Sequence, residues 1–202
     1  IQQPLVKIDK SWGYDVKISQ INRQELSERR EAYAEKLAKS ETDHQKALET
    51  YNNLTSAERL LTKEPKKKVI AKYFIGAELN EAEQSRYFEE LEGFSKSDNP
   101  EFTIEVIFDG FKYITADKKN SADDGSGNTF YSVEYKNNVA LKVTDQQGNV
   151  LLDQVVDDKV KKYKTKPGSD ASEVEKSWKA NKVSIISKIE EESYKEQMGK
   201  AS

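Results

Sequence analysis

Residues 131–143 read YSVEYKNNVALKV, and they alternate: Tyr131, Val133, Tyr135, Val139, Leu141 and Val143 share one parity, while Ser132, Glu134, Lys136, Asn138 and Lys142 share the other. A period of two marks a β-strand with one buried and one wet face, because successive Cβ atoms point to opposite sides of a sheet. The run 145–149, DQQGN, and the apolar run that follows it (Val150, Leu151, Leu152, Val155, Val156) complete a hairpin.

The same alternation opens the chain. Val6, Ile8, Trp12, Tyr14, Val16 and Ile18 share a parity against Lys7, Asp9, Ser11, Asp15 and Lys17, which predicts one long or bulged strand over 5–19. Gly13 sits between two large aromatics, where a missing side chain admits a neighbouring backbone. Two equally regular strands so far apart in the chain point to one shared core. The expectation is a single α+β domain over 1–202, with 95–100 as the one stretch suited to an internal boundary.

From about residue 22 the period becomes helical, with Leu26, Tyr33, Leu37, His44, Leu48 and Tyr51 spaced by threes, fours and their sums. The remaining faces are Glu, Lys, Arg, Gln and Ser. So narrow a stripe suits a helical hairpin or a coiled-coil contact, with the helix over 22–51 projecting as an arm. A short helix over 57–61 follows, ended by Pro65, then a β-branched strand over 69–75 closed by Gly76. Asn80, with Glu83 three residues on, caps a helix whose packing face is Tyr87, Phe88, Leu91 and Phe94.

Residues 103–115 are strand-like with a phase change at Gly110, which predicts a bulge. A polar loop occupies 117–128, and 159–166 reads as a lysine-bearing edge strand. Asp170 or Ser172 caps a final helix with Val174, Trp178, Ile185, Ile189 and Met198 on its inner face. The fold class is therefore α+β: a mainly antiparallel sheet of five to seven long strands and hairpins, covered on one face by two or three helices, one of them long and charged.

Charge and composition narrow the chemistry. With 33 Lys+Arg against 36 Asp+Glu there is no global field for phosphate backbones, so nucleic acid is not an expected partner. The compact basic run Lys66-Lys67-Lys68 reads as a solvated strand entrance. The absence of cysteine removes disulfides, thiolate nucleophiles and thiolate metal sites. A start at Ile1, with many Lys, Asn, Asp and Ser residues, leads to the expectation of an exported bacterial-type protein, periplasmic or at the cell surface.

No catalytic residue is assigned. His44 is the only histidine, so Ser-His-Asp and multi-histidine schemes lack members, and its place on the apolar stripe makes it a packing residue. Carboxylate pairs such as Asp157-Asp158 and 190–192 fall in turns or among lysines, which ranks a carboxylate-dependent hydrolase third. The loop with Asp123, Asp124 and Asn128 is the most cation-like stretch, but its glycines fall where a calcium loop needs oxygen ligands, so no metal or other cofactor is expected. The expected function is a non-enzymatic interaction or assembly module, through a protein partner or self-association. Trp12, Tyr14, Tyr33, Leu37 and His44 are its candidate contact residues. The second reading is a small-ligand or lipid-binding carrier, which requires an apolar cavity between sheet and helices.

Overall fold

The hairpin built on 131–143 lies at the centre of a mixed six-stranded sheet in the computed structural model, which describes residues 9, 11–91, 93–121 and 127–201. The strands are β1 (Gly13–Gln20), β2 (Ser95–Lys96), β3 (Phe102–Asn120), β4 (Thr129–Asp145), β5 (Val150–Asp157) and β6 (Val160–Lys164). The helices are α1 (Arg23–Asn52), α2 (Ser56–Leu61), α3 (Glu81–Gln84, continued by a 3-10 turn, Ser85–Phe88) and α4 (Ala171–Ala201). Contacts divide the chain into two compact units. One comprises Ile1–Arg23 with Gly76–Ser202, the other Gln24–Ile75.

The first unit holds the sheet, ordered β2-β1-β3-β4-β5, with β6 also on β4. Its central ladder is β3 against β4, antiparallel from Phe102↔Asp145 to Asn120↔Thr129. The expectation of a mainly antiparallel sheet needs correcting at one edge: β1 runs parallel to β3 and to β2. Alternation within a strand reports which face is buried. It carries nothing about the direction of a neighbour 88 residues away in the Tyr14↔Phe102 pair.

The alternation itself holds. Tyr131, Val133, Tyr135, Val139 and Val143 are buried, with Leu141 half-buried, and the polar gap in the pattern at 137 is filled by a buried asparagine. On β3 the even positions Phe102, Ile104, Val106 and Phe108 face the core until Gly110. There the register slips, as the phase change predicted. Gly110 has φ +97°, and a Cβ on it would overlap the side chain of Asn22 at the end of β1, so only glycine fits both demands. Gly13 admits a neighbour in the same way, because a Cβ there would meet Ser97.

Three local expectations are corrected. Residues 69–75 form no strand: they run extended with no ladder partner among the described residues, and Val69 is 89% exposed. β-branched composition favours a pleated, half-buried surface, but it makes a strand only where a ladder partner is present. β3 runs on to Asn120, into what reads as loop, because Asp117–Asn120 pairs with β4 residues 129–132. The strand expected over 5–19 is seen only from Gly13. Its residues Val6 and Ile8, like Asp123 and Asp124, lie outside the described residues.

α4 covers the buried face. Asp170 Oδ1 accepts the Ser172 and Glu173 N–H groups to start it. Trp178 then stacks on Tyr131 at 4.7 Å, and Tyr194 meets Phe108 edge-on at 5.4 Å. α3 and the turn after it pack by β1, where the Tyr14 hydroxyl donates to the Phe88 carbonyl.

The second unit is a helix with an extended return. The Ser40 hydroxyl donates to the Lys68 carbonyl, Lys67 pairs with Glu41, and Tyr73 meets Tyr33 edge-on while its hydroxyl donates to the Arg29 carbonyl. Residue numbers fall along α1 as they rise along the return, so the two legs are antiparallel. Twelve helical residues from Glu41 to Arg29 rise about 18 Å. Six extended residues from Lys67 to Tyr73 span about 20 Å. The lengths match, and α2 sits at the turn between the legs, its start fixed by a capping box of Thr55 and Glu58.

Candidate functional site

The five candidate contact residues fall in different units. Trp12 and Tyr14 belong to the first: Tyr14 is fully buried and stacks on Phe102, whereas Trp12 is half-buried. Tyr33, Leu37 and His44 lie on α1 in the second. Tyr33 is half-buried against Tyr73, Leu37 is 43% exposed, and His44 is half-buried with no partner for Nδ1 among the described residues. Of the candidate cation loop only Asn128 is described, and its carbonyl accepts the Ser121 N–H at 2.7 Å. Among the described residues no cluster of three His, Asp or Glu side chains is placed to hold a metal, and no helix is long and apolar enough to cross a membrane.

On the second unit Leu37, Ser40, Lys67, Lys68, Val69 and Ile70 line a groove of about 260 Å³ between α1 and the return leg. α1 has thirty residues and buries only Leu26 and Ser40. Ion pairs such as Glu25 with Arg29 support its wet faces by about 0.3 kcal/mol each. The groove is the apolar seam that these charged faces leave uncovered.

On the first unit a different constellation gathers where the ladder breaks. Val139 faces Asp157 and Lys136 faces Val160, so β5 and β6 keep one register on β4 and are a single strand interrupted at 158–159. The interruption frees the Asn137 carbonyl, which accepts the Gln197 amide from α4 at 3.3 Å, while Asn137 Nδ2 donates to the Ser193 hydroxyl. The β3 register slip beside Gly110 lies opposite Asn138, so this slip and the interruption of the outer strand meet at one asparagine pair.

Asp157 is the hub of this gap. Its Oδ1 accepts the Lys159 N–H, and its Oδ2 accepts Gln197 and Lys200, each at 3.0 Å, with the Lys161 ammonium 3.1 Å away. Burial pushes its carboxyl up, but those donors outweigh burial and hold it well below the usual carboxylate range. Glu196 is lowered by the Lys200 hydrogen bond, with Lys161 adding to it, and Lys200 is raised by Glu196 and Asp157 together. Two carboxylates held ionised by two shared lysines make a pin between strand and helix, and neither has the raised pKa of a general acid. Sequence reading missed the pin because Ser193 and Gln197 are polar residues on the buried face of a helix. Asn137 opposite explains them, its side-chain amide meeting Ser193 and its freed carbonyl meeting Gln197.

A cavity of about 270 Å³ lies between α4 and the β4–β6 edge, lined by Tyr131, Lys166, Pro167, Val174, Trp178 and Ile185, with Glu173 also at its wall. Neither Lys166 nor Glu173 has an ion-pair partner among the described residues. No protein-family model matches the chain, and no curated protein matches it.

Proposed function

We propose that the chain is a non-enzymatic interaction or assembly module that docks through the apolar seam of its second unit, with a second copy of the chain as the occupant. The observation that carries this reading is the exposure of Leu37, on a thirty-residue helix that buries two residues, and of Val69 on the return leg beside it. The helix is about 45 Å long and about 10 Å wide, and the return leg widens its face to roughly 18 Å only between Arg29 and Glu41. The resulting roughly 600 Å² per partner is at the small end of stable interfaces. Charge of both signs along α1 permits pairing of one copy with another. Light scattering at rising protein concentration should show reversible self-association, weakened about ten-fold or more by Leu37→Asp. A mass that stays monomeric at every concentration would overturn the proposal. The periplasmic or cell-surface setting belongs to the same proposal, supported by composition alone, and fractionation of host cells tests it.

A second reading, a small-ligand carrier, is favoured by the cavity beside Trp178. Its apolar walls and unpaired Lys166 suit a short carboxylate with an alkyl tail. With Trp12→Phe leaving Trp178 as the only tryptophan, titration with hexanoate should change the emission saturably. Eight heavy atoms at roughly 0.5 kcal/mol each correspond to a dissociation constant near 1 mM. A linear, unsaturable response would remove this reading.

A further inference from the structure

The turn between the two legs of the second unit carries a feature that neither reading uses. Leu60 and Leu61 close α2 and are 88% and 90% exposed. Single exposed leucines are ordinary. Two adjacent ones in the last turn of a six-residue helix, with neither side chain covered, are not. The next residues are strongly basic: over 58–72 Arg59, Lys63, Lys66, Lys67, Lys68 and Lys72 stand against Glu58 and Glu64, a net charge of +4 that leaves the rest of the chain at −7.

These charges are largely unneutralised. Lys67 pairs with Glu41, but among the described residues Lys63, Lys66, Lys68 and Lys72 have no carboxylate at ion-pair distance. A solvated strand entrance would explain the lysine run if a strand followed it. None does. The lysines therefore flank an exposed apolar tip on a leg that is held along α1 at Ser40 and Arg29.

We propose that this tip is a docking surface for an anionic lipid bilayer: Leu60 and Leu61 enter the interface while Lys63, Lys66 and Lys68 lie against the headgroups. Two observations favour a lipid surface over an acidic protein. The leucines sit on a helix end and line no part of this unit's groove, and basic residues outnumber acidic ones six to two over 58–72. A flat, negatively charged, deformable surface meets an exposed apolar pair without needing a complementary pocket. The remainder of the chain carries a net charge of −7, so the net-positive strip is the part that such a surface attracts.

Sedimentation of the full chain with vesicles tests the proposal. Vesicles containing phosphatidylglycerol should carry the protein down, and pure phosphatidylcholine vesicles should not, with binding falling as salt rises. Each lysine near the surface raises partitioning about five-fold, so Lys63→Gln/Lys66→Gln/Lys68→Gln should lower it on the order of a hundred-fold. Leu60→Ser/Leu61→Ser should lower it about ten-fold or more. All five side chains are exposed, so the thermal melting of both variants should match the parent and remove misfolding as an explanation. Leu37→Asp, which tests self-association, should leave vesicle binding in place, separating failure of one proposal from failure of the other. Equal recovery with neutral and anionic vesicles overturns the lipid assignment. So does full binding by the leucine variant with polyglutamate as an effective competitor, which would identify an acidic protein partner instead.

Discussion

Asp157→Ala should lower the free energy of unfolding by about 3 kcal/mol, because removing one member of a buried charge cluster leaves its partners desolvated and unpaired. The Asp157 side chain is 9% exposed and Lys161 17%, so the loss falls on groups that water does not compensate. Lys200 is 43% exposed, and its share is discounted accordingly. Glu196 still holds Lys161, which keeps the cost at the low end of the range for buried pairs. For a chain of this length the melting temperature should drop by roughly 6–12 °C. The effect carries a pH signature. The Asp157 carboxyl is depressed in the folded state, so its contribution is fully present above the unfolded value near 4 and is lost as pH falls toward the folded one. Urea titrations at neutral pH and in acid should show parent and Asp157→Ala converging below about pH 4. A constant difference across that range would mean that the aspartate acts through shape rather than charge.

The largest loss is expected at Phe108→Ala, about 4 kcal/mol. Phe108 is fully buried, pairs with Gln20 of β1 and Val139 of β4, and meets the Tyr194 ring of α4 edge-on. Truncation removes apolar burial, opens a cavity where β1, β3, β4 and α4 converge, and forfeits the aromatic contact. Phe108→Leu should recover more than half of this, since it refills most of the volume. Urea midpoints for the two variants decide it. Equal losses would show that ring geometry, rather than volume, secures α4 to the sheet.

What could be read from the chain followed from periodicity. The 131–143 alternation, the bulge at Gly110, the caps at Asn80 and Asp170 and the narrow stripe on α1 are local patterns, and each is visible to a reader of ten residues. The parallel pairing of β1 was not legible, because direction depends on a partner 88 residues on. Residues 69–75 were misread for a related reason: Val69, Ile70 and Ile75 have strand-like side chains, but a strand needs an edge to join. The pin at Asp157 was hidden because two residues missing from a ladder leave no mark in composition. The basic run was visible, yet its meaning changed once the segment beyond it proved to be exposed rather than paired.

The parallel contact of β1 with β3 also orders the events of folding. Closing the β3–β4 pair at Asn120↔Thr129 brings together residues 9 apart, whereas joining β1 to β3 closes a loop of 88. The longer closure costs about 2 kcal/mol more in chain entropy, before any contact offsets it. The central hairpin is thereby favoured to form first and β1 to arrive late. Until it does, the β3 edge from Phe102 to Phe108 is bare: seven residues, five of them large and apolar, with every outward amide and carbonyl unpaired. A newly made chain carries, for that interval, a template on which another copy's strand can settle.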